Sequence, residues 1–427
     1  MLICIRAIYR NGDKMYYTFQ NMQGKNFYFN GDNLKIYESL DLNSINEEPR
    51  SIDYFRNDYF SYLTIVMCNN CNLTCSYCYE RQDNDNNPNC QISLLQARKA
   101  IDTLMKSINM HEYKKGGINF FGGEPLLCFD YIKELVLYSE EIKDPKVSIQ
   151  YSMVTNGTLL TEEKIEFLEK YNFLITISID GDQDTHDKER KFKNGKGSYL
   201  IVASNIKNCI SRLKLKARIT INNNNYDVLK AVESIRSLGI NDIVIGMDEN
   251  ISPKRLTDFL KQYELLLGSY LKSIENKDYY CIDNIVLLLI KIFFGRRVSS
   301  KCNAGRSYFT LSADGDLYSC HRLIGTTCGK VCSSCDDFFD FTEEYSIKTA
   351  SFRTKRREKK SIPCSGCVFI NLCGGSCLHS SYLNSENLMG YSYKACVLSK
   401  FEIDKCLSLI TSLDQENRRS YIEYLFN

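Results

Sequence analysis

Between Ser61 and Ile274 the chain carries six strand-like runs, Tyr62 to Met67, Gly117 to Phe121, Val147 to Val154, Leu174 to Ile179, Lys216 to Ile221 and Asp242 to Met247. Ten or more residues with helical spacing of apolar positions follow each run. Strands that alternate with helices pair in parallel, because each helix is the crossover returning the chain to the same edge. The expected fold class is therefore α/β, with a partial (β/α)6 TIM-like barrel over residues 58–280. In such folds chemistry gathers at the carboxyl ends of the strands. The unusual sequences fall there: CNLTCSYCYE after the first strand, FFGGEP after the second, TNGT after the third and SIDG on the fourth.

The first of these places Cys71, Cys75 and Cys78 in a Cys-x3-Cys-x2-Cys pattern. Three thiolates hold three irons of a four-iron cluster and leave the fourth open to a small molecule, whereas a closed structural zinc site takes four ligands. A zinc site completed by Cys68 is the alternative, although zinc ligands usually come as two couples far apart in sequence. The chain has 20 cysteines, yet Met1 to Arg10 has no signal-peptide pattern, so the cysteines are expected as metal ligands in a reducing cytoplasm. The longest apolar run, Ile285 to Phe294, contains Lys291 and is too short to span a bilayer. With 54 basic against 52 acidic residues, nothing global points to nucleic acid or a membrane as partner.

The cysteine loop, with Tyr77 just before its last cysteine and six β-α repeats behind it, resembles the radical S-adenosylmethionine (SAM) superfamily. The resemblance implies that SAM chelates the open iron and is cleaved to a 5′-deoxyadenosyl radical that abstracts hydrogen from a substrate. It further implies cofactor contacts from Tyr77, from the glycine-rich turn Gly122, Gly123 and Glu124, and from Asn156, Ser178 and Asp180. Arg190 or Arg218 is the expected partner of the cofactor carboxylate.

A second cysteine block runs from Cys302 to Cys396. Its order is Cys302, twelve residues, Gly315, four residues, Cys320, then Cys364-x2-Cys367-x5-Cys373-x3-Cys377, then Cys396. It resembles the SPASM extension, which carries two auxiliary clusters and brings the expected total to three [4Fe-4S] clusters. The resemblance assigns Cys302, Cys320 and Cys377 to an inner cluster, and Cys364, Cys367, Cys373 and Cys396 to an outer one. The fourth inner ligand is either Cys281 or an open position for a substrate thiolate. Cys328, Cys332 and Cys335 repeat the Cys-x3-Cys-x2-Cys spacing, as a further cluster or as accessory thiols. Cys4, Cys68, Cys90, Cys128, Cys209 and Cys406 are expected as buried or free thiols.

The remaining expectations concern architecture and reaction. Residues 1–57 form a small β-rich unit, a candidate for docking an extended peptide by strand addition. Residues 281–400 form the auxiliary-cluster domain, a separate small unit with a hairpin turning at Asp314-Gly315, and 401–427 a closing helix. His321, after Cys320, stands where sulfatase-activating relatives carry an acidic residue, and CHRLIG is similar to maturases that install thioethers. His321 is thus expected as a catalytic base or a structural hydrogen-bonding group. The expected function is a peptide maturase forming carbon–sulfur crosslinks, with a precursor peptide or small protein as substrate and a flavodoxin- or ferredoxin-type electron donor. Anaerobic sulfatase maturation, another peptide crosslink and a zinc-rich binding module are the alternatives. The basic runs KERKFKNGK (188–196) and RTKRREKK (353–360) suit either an acidic partner or solvated surface.

Overall fold

The computed structural model describes residues 8–11, 14–38, 59–80, 90–111, 114–298, 300–333, 338, 364–385, 388 and 390–426. Cys4, Cys335 and the run 353–360 lie outside them. Four strands, β1 (Ile8–Asn11), β2 (Lys14–Gln20), β3 (Asn26–Asn30) and β4 (Lys35–Tyr37), form an antiparallel meander. The six expected parallel strands follow as β5 (Tyr62–Val66), β6 (Lys115–Phe121), β7 (Ser148–Thr155), β8 (Leu174–Ser178), β9 (Lys214–Ile221) and β10 (Asp242–Met247). They lie side by side in chain order.

The sheet continues past both ends of this set. The two-residue β11 (Cys281–Ile282) pairs in parallel with β10. On the other side β12 (Tyr308–Leu311) pairs in parallel with β5, matching Tyr308 to Tyr62 and Leu311 to Ile65. The strands β13 (Leu317–Tyr318) and β14 (Lys330–Cys332) then add antiparallel. Thus the hairpin at Asp314-Gly315 is present, but it is not part of a separate unit. It extends the barrel sheet, so the second cysteine block is hydrogen-bonded directly to the strand that precedes the first cysteine loop.

Alternation along the strands decides what faces inward. On β9, Leu215, Ala217, Ile219 and Ile221 are buried against helices, whereas Lys216, Arg218 and Thr220 face the lumen. The same period puts Leu63, Ile65, Ile118, Phe120, Ile175 and Ile177 in the core. Burying each such side chain contributes roughly 1.5–3 kcal/mol. The opposite row, Thr64, Asn119, Ser152, Thr176 and Arg218, lines one cavity of about 790 Å³. Strands as far apart in the sheet as β5 and β10 line that cavity, so the sheet curves around it.

The last barrel strand is followed by two helices, Pro253–Glu275 and Asp283–Phe293, divided by a turn with Lys277 at φ +59° and by β11. Likewise Lys400 lies inside a continuous helix, Tyr393–Ser412, which begins beside Cys396 and is capped by Ser392 Oγ accepting the Ala395 N–H. The expected boundaries at 280/281 and 400/401 therefore fall within packed structure. The N-terminal meander rests on the second cysteine block: Tyr17 packs edge-on against Phe369 at 4.6 Å and donates to Asp404 at 2.9 Å, and Asn371 donates to the Gly31 carbonyl at 2.9 Å. No helix among the described residues is long and apolar enough to cross a membrane.

Candidate active site

Cys71, Cys75 and Cys78 all open into the 790 Å³ cavity. The loop that carries them is held from two sides. From below, the FFGGEP turn straps it by backbone bonds, Gly123 N–H to the Cys68 carbonyl at 2.8 Å and Glu124 N–H to the Asn70 carbonyl at 2.9 Å. From the side, the basic run 188–196 pairs with it: Thr74 N–H donates to the Lys191 carbonyl at 2.7 Å, Ser76 N–H to the Glu189 carbonyl at 3.2 Å, and Leu73 bridges to Phe192. The backbone of that run therefore braces the cysteine loop while the side chains of Lys191, Lys193 and Lys196 stay exposed.

The thiols receive polar hydrogens. Leu73 N–H reaches Cys71 Sγ at 3.4 Å, Asn156 Nδ2 reaches the same sulfur at 3.7 Å, and Arg190 Nη1 reaches Cys75 Sγ at 3.9 Å. Burial pushes the Cys71 thiol up to about 12 and raises Cys75 as well, the latter opposed by the Arg190 charge. Such thiols hold their protons until a metal displaces them. Three soft donors converging on one cavity, with N–H groups aimed at the sulfurs, fit an iron–sulfur cluster with room for a further ligand.

The cofactor residues expected from the sequence divide into two sets. Tyr77, Gly122, Gly123, Asn156, Ser178, Arg190 and Arg218 line the cavity. Glu124 and Asp180 do not; both are 0% exposed and bound on every side. Glu124 accepts from Asn156 N–H at 2.7 Å, Thr155 Oγ1 at 2.7 Å and Leu126 N–H at 3.1 Å, so it ties the strand ends of β6 and β7 together. Asp180 accepts from the Tyr77 hydroxyl, from Arg190 Nε at 2.8 Å and from Thr220 N–H at 2.8 Å. Both are positioning residues beneath the cavity. Asn156 is also committed, donating to Asn72 Oδ1 at 2.8 Å and accepting from Thr158. Arg190, paired with Asp180 and lying 5.3 Å from the Tyr77 ring centre, holds the loop. The Arg218 guanidinium forms no ion pair or hydrogen bond among the described residues, and burial lowers its pKa. Of the two arginines it is the one open to a carboxylate.

The second cysteine block brings Tyr308, His321 and Arg322 to the same cavity, and Tyr79 and Glu80 follow from the first loop. Tyr308 and Arg322 carry no sequence motif; their signal was adjacency to Cys320 and to the hairpin. Tyr308 hydroxyl and His321 Nδ1 are 2.8 Å apart, and Thr310 Oγ1 donates to the same hydroxyl at 3.0 Å. Burial and the neighbouring Arg322, Arg218 and His379 lower His321 to about 3. Its ring lies in the cavity wall and is hydrogen-bonded to Tyr308.

Cys302 and Cys377 both act on the half-buried Cys320, whose thiol desolvation pushes up to about 12. Cys281 sits on β11, beyond β10 and across the sheet from β12, beside Asp242, and its thiol donates to the Tyr424 hydroxyl at 4.0 Å. Cys364, Cys367, Cys373 and Cys396 line a separate small recess with Phe369, Gly375 and Lys400. Cys328 is half-buried and Cys332, on β14, is buried. Cys68 and Cys128 are buried side by side under the first cysteine loop, a pair not apparent from the sequence.

Residues 65–260 match the Radical SAM superfamily. The chain carries a radical SAM domain. Such a domain implies a [4Fe-4S] cluster and SAM, for which the cysteine loop and its cavity are suited. It is 26% identical over 339 residues to a cysteine-type anaerobic sulfatase-maturating enzyme of Clostridium novyi, covering 74% of this chain and 87% of that one. It is 26% identical over 365 residues to the radical SAM cyclopropyl synthase TigE of Paramaledivibacter caminithermalis, covering 81% and 73%. The solved structure of native anSMEcpe with bound AdoMet and Cp18Cys peptide superposes with a TM-score of 0.69 at 20% identity, covering 82% of this chain and 98% of that chain.

Proposed function

We propose that this radical SAM enzyme is a peptide maturase that forms carbon–sulfur crosslinks in a ribosomally made precursor. The observation that carries the proposal is the shared cavity: the first cysteine loop and the second cysteine block, the latter through Tyr308, His321 and Arg322, face the same 790 Å³ space. A substrate there lies between the first thiol trio and Cys320. When bound, the cluster and SAM supply a hydrogen-abstracting radical. The chain's own part is to hold them: Cys71, Cys75 and Cys78 as ligands, Gly122, Gly123, Tyr77 and Ser178 as walls, Arg218 for the cofactor carboxylate.

The trio Cys302, Cys320 and Cys377 suits an inner auxiliary cluster with one open iron for a substrate thiolate, and the recess of Cys364, Cys367, Cys373 and Cys396 an outer cluster. Electrons come from a flavodoxin- or ferredoxin-type donor in a reducing cytoplasm. The similarity to enzymes named as sulfatase-maturating favours formylglycine formation as the second reading. His321, in place of an acidic residue after Cys320, supports the crosslinking one.

Anaerobic reconstitution tests the proposal. The protein should be brown, should bleach on reduction and should release 5′-deoxyadenosine from SAM. Co-expression with a cysteine-containing precursor from a neighbouring gene should cost the peptide a hydrogen pair per crosslink, with thiols consumed. Colourless reconstituted protein would sink the whole proposal, and a gained aldehyde would establish the second reading.

A further inference from the structure

Three arginines line the cavity, and their charges are balanced unequally. Arg190 is matched by the buried Asp180. Arg218 and Arg322 are not matched: neither forms an ion pair among the described residues. Two of the acids on the cavity wall are occupied: Asp283 is paired with Lys216 at 2.7 Å, and Asp248 accepts from the Asn250 N–H at 3.0 Å. Arg322 Nε is buried without a hydrogen-bond partner. Its guanidinium carbon lies 4.2 Å from the centre of the Tyr79 ring, which fixes its plane. A Cβ on Gly246 would come within 3.0 Å of Arg218 Nη2, so the glycine leaves the space that guanidinium occupies.

Two guanidiniums facing one cavity repel each other, and an unpaired buried N–H costs free energy. An anion from outside the chain relieves both. The cofactor contributes one carboxylate, and Arg218, on the strand floor, is its partner in the proposed function. Arg322 comes from the second cysteine block, beside Cys320, and is left for a second anion.

We propose that Arg322, stacked on Tyr79, anchors a carboxylate of the substrate peptide and so selects a peptide with an acidic group close to the reacting residue. This rests on the peptide-maturase reading. The carboxylate comes from an Asp or Glu side chain or from the peptide's C-terminus, and both present the same planar fork to the guanidinium.

The test is binding of capped pentapeptides to the reconstituted holoenzyme, each with cysteine second: one with glutamate fourth, one with glutamine there, and one with glutamine and a free C-terminal carboxylate. With SAM present, a carboxylate peptide should bind about tenfold tighter than the neutral one, the scale of one charge-assisted hydrogen bond. The arm that shows the preference identifies the source. Arg322→Gln should erase it, and Arg322→Glu should reverse it towards a lysine peptide, which misfolding cannot mimic. Iron content should equal wild type in both variants. Equal binding of all arms, or none in the millimolar range, overturns the proposal, as does a preference that disappears when SAM is added or a loss of iron in Arg322→Gln. If wild type cleaves no SAM, the maturase reading fails, whereas the peptide comparison still reports on Arg322.

Discussion

Gly123 lies so close beneath the cysteine loop that a Cβ on it would meet the carbonyl oxygen of Asn70 at 2.3 Å and that of Asn69 at 2.7 Å. The glycine of this turn is therefore required first by the chain's own backbone. Its neighbour Gly122, at φ +137°, would put a Cβ 2.4 Å from the Cys68 carbonyl oxygen.

Gly123→Ala should displace the cysteine loop. Two backbone carbonyls cannot swing aside as a side chain would, so the variant should lose about 1–3 kcal/mol, the usual cost of overpacking. Iron content after reconstitution should fall with it. Gly195→Ala is the control: φ there is +81° with nothing within 4 Å, so it carries backbone strain alone. A Gly123→Ala protein with wild-type iron and stability would show that the loop is not set by this contact.

Arg190→Ala should be more damaging than the loss of a surface ion pair. Asp180 is 0% exposed, and removing its cation leaves a buried carboxylate with only the Tyr77 hydroxyl and the Thr220 N–H. Breaking a buried pair costs about 3–5 kcal/mol, and the Tyr77 ring loses the guanidinium beside it. Arg190→Lys should recover part of the stability but not the Cys75 contact. Urea midpoints and iron content under anaerobic conditions measure both effects. A drop in stability below about 1 kcal/mol, the surface-pair scale, would mean that Asp180 is reached by solvent.

Glu124 and Asp180 also show where sequence reasoning stopped. A carboxylate at a strand end looks the same whether it faces a ligand or lies beneath the wall that does, because its partners are residues far along the chain: Asn156 for Glu124, Arg190 and Thr220 for Asp180. The six barrel strands were legible because period-two alternation is local. Strand β11, two residues long, leaves no such period, and β12 showed its hairpin partner but not β5, more than two hundred residues upstream. Cysteine spacing was legible for the same local reason. Arg322 was not, since nothing in CHRLIG distinguishes an unpaired guanidinium from a paired one.

Cysteine replacement separates the second-block sites. Cys396→Ala should reduce iron by about one cluster's worth, since Cys396 shares a recess with Cys364, Cys367 and Cys373. Cys281→Ala should leave iron unchanged, because Cys281 faces Asp242 and Tyr424 on β11. Iron per protein and the visible absorption of each reconstituted variant give the answer. Lost iron in Cys281→Ala would restore it as the fourth inner ligand.

His186 should make stability fall as the solution is acidified. It is 0% exposed beneath the Asp180 strand end, with Nε2 2.9 Å from Ser198 Oγ and Nδ1 accepting the Asp180 N–H at 3.4 Å. Burial, helped by the Arg190 charge and opposed by Asp180 and Asp187, lowers it from 6.5 to about 4. With the folded pKa below the unfolded one, the unfolded chain binds the extra proton. The stability due to neutral His186 is therefore complete above 6.5 and lost as pH falls towards about 4, up to about 3 kcal/mol over that window. His186→Gln cannot titrate, so the gap in urea stability between wild type and variant should be widest near neutrality and narrow on acidification. A gap constant across the window would mean that His186 takes up its proton alike in the folded and unfolded chain, so that burial does not hold the imidazole neutral.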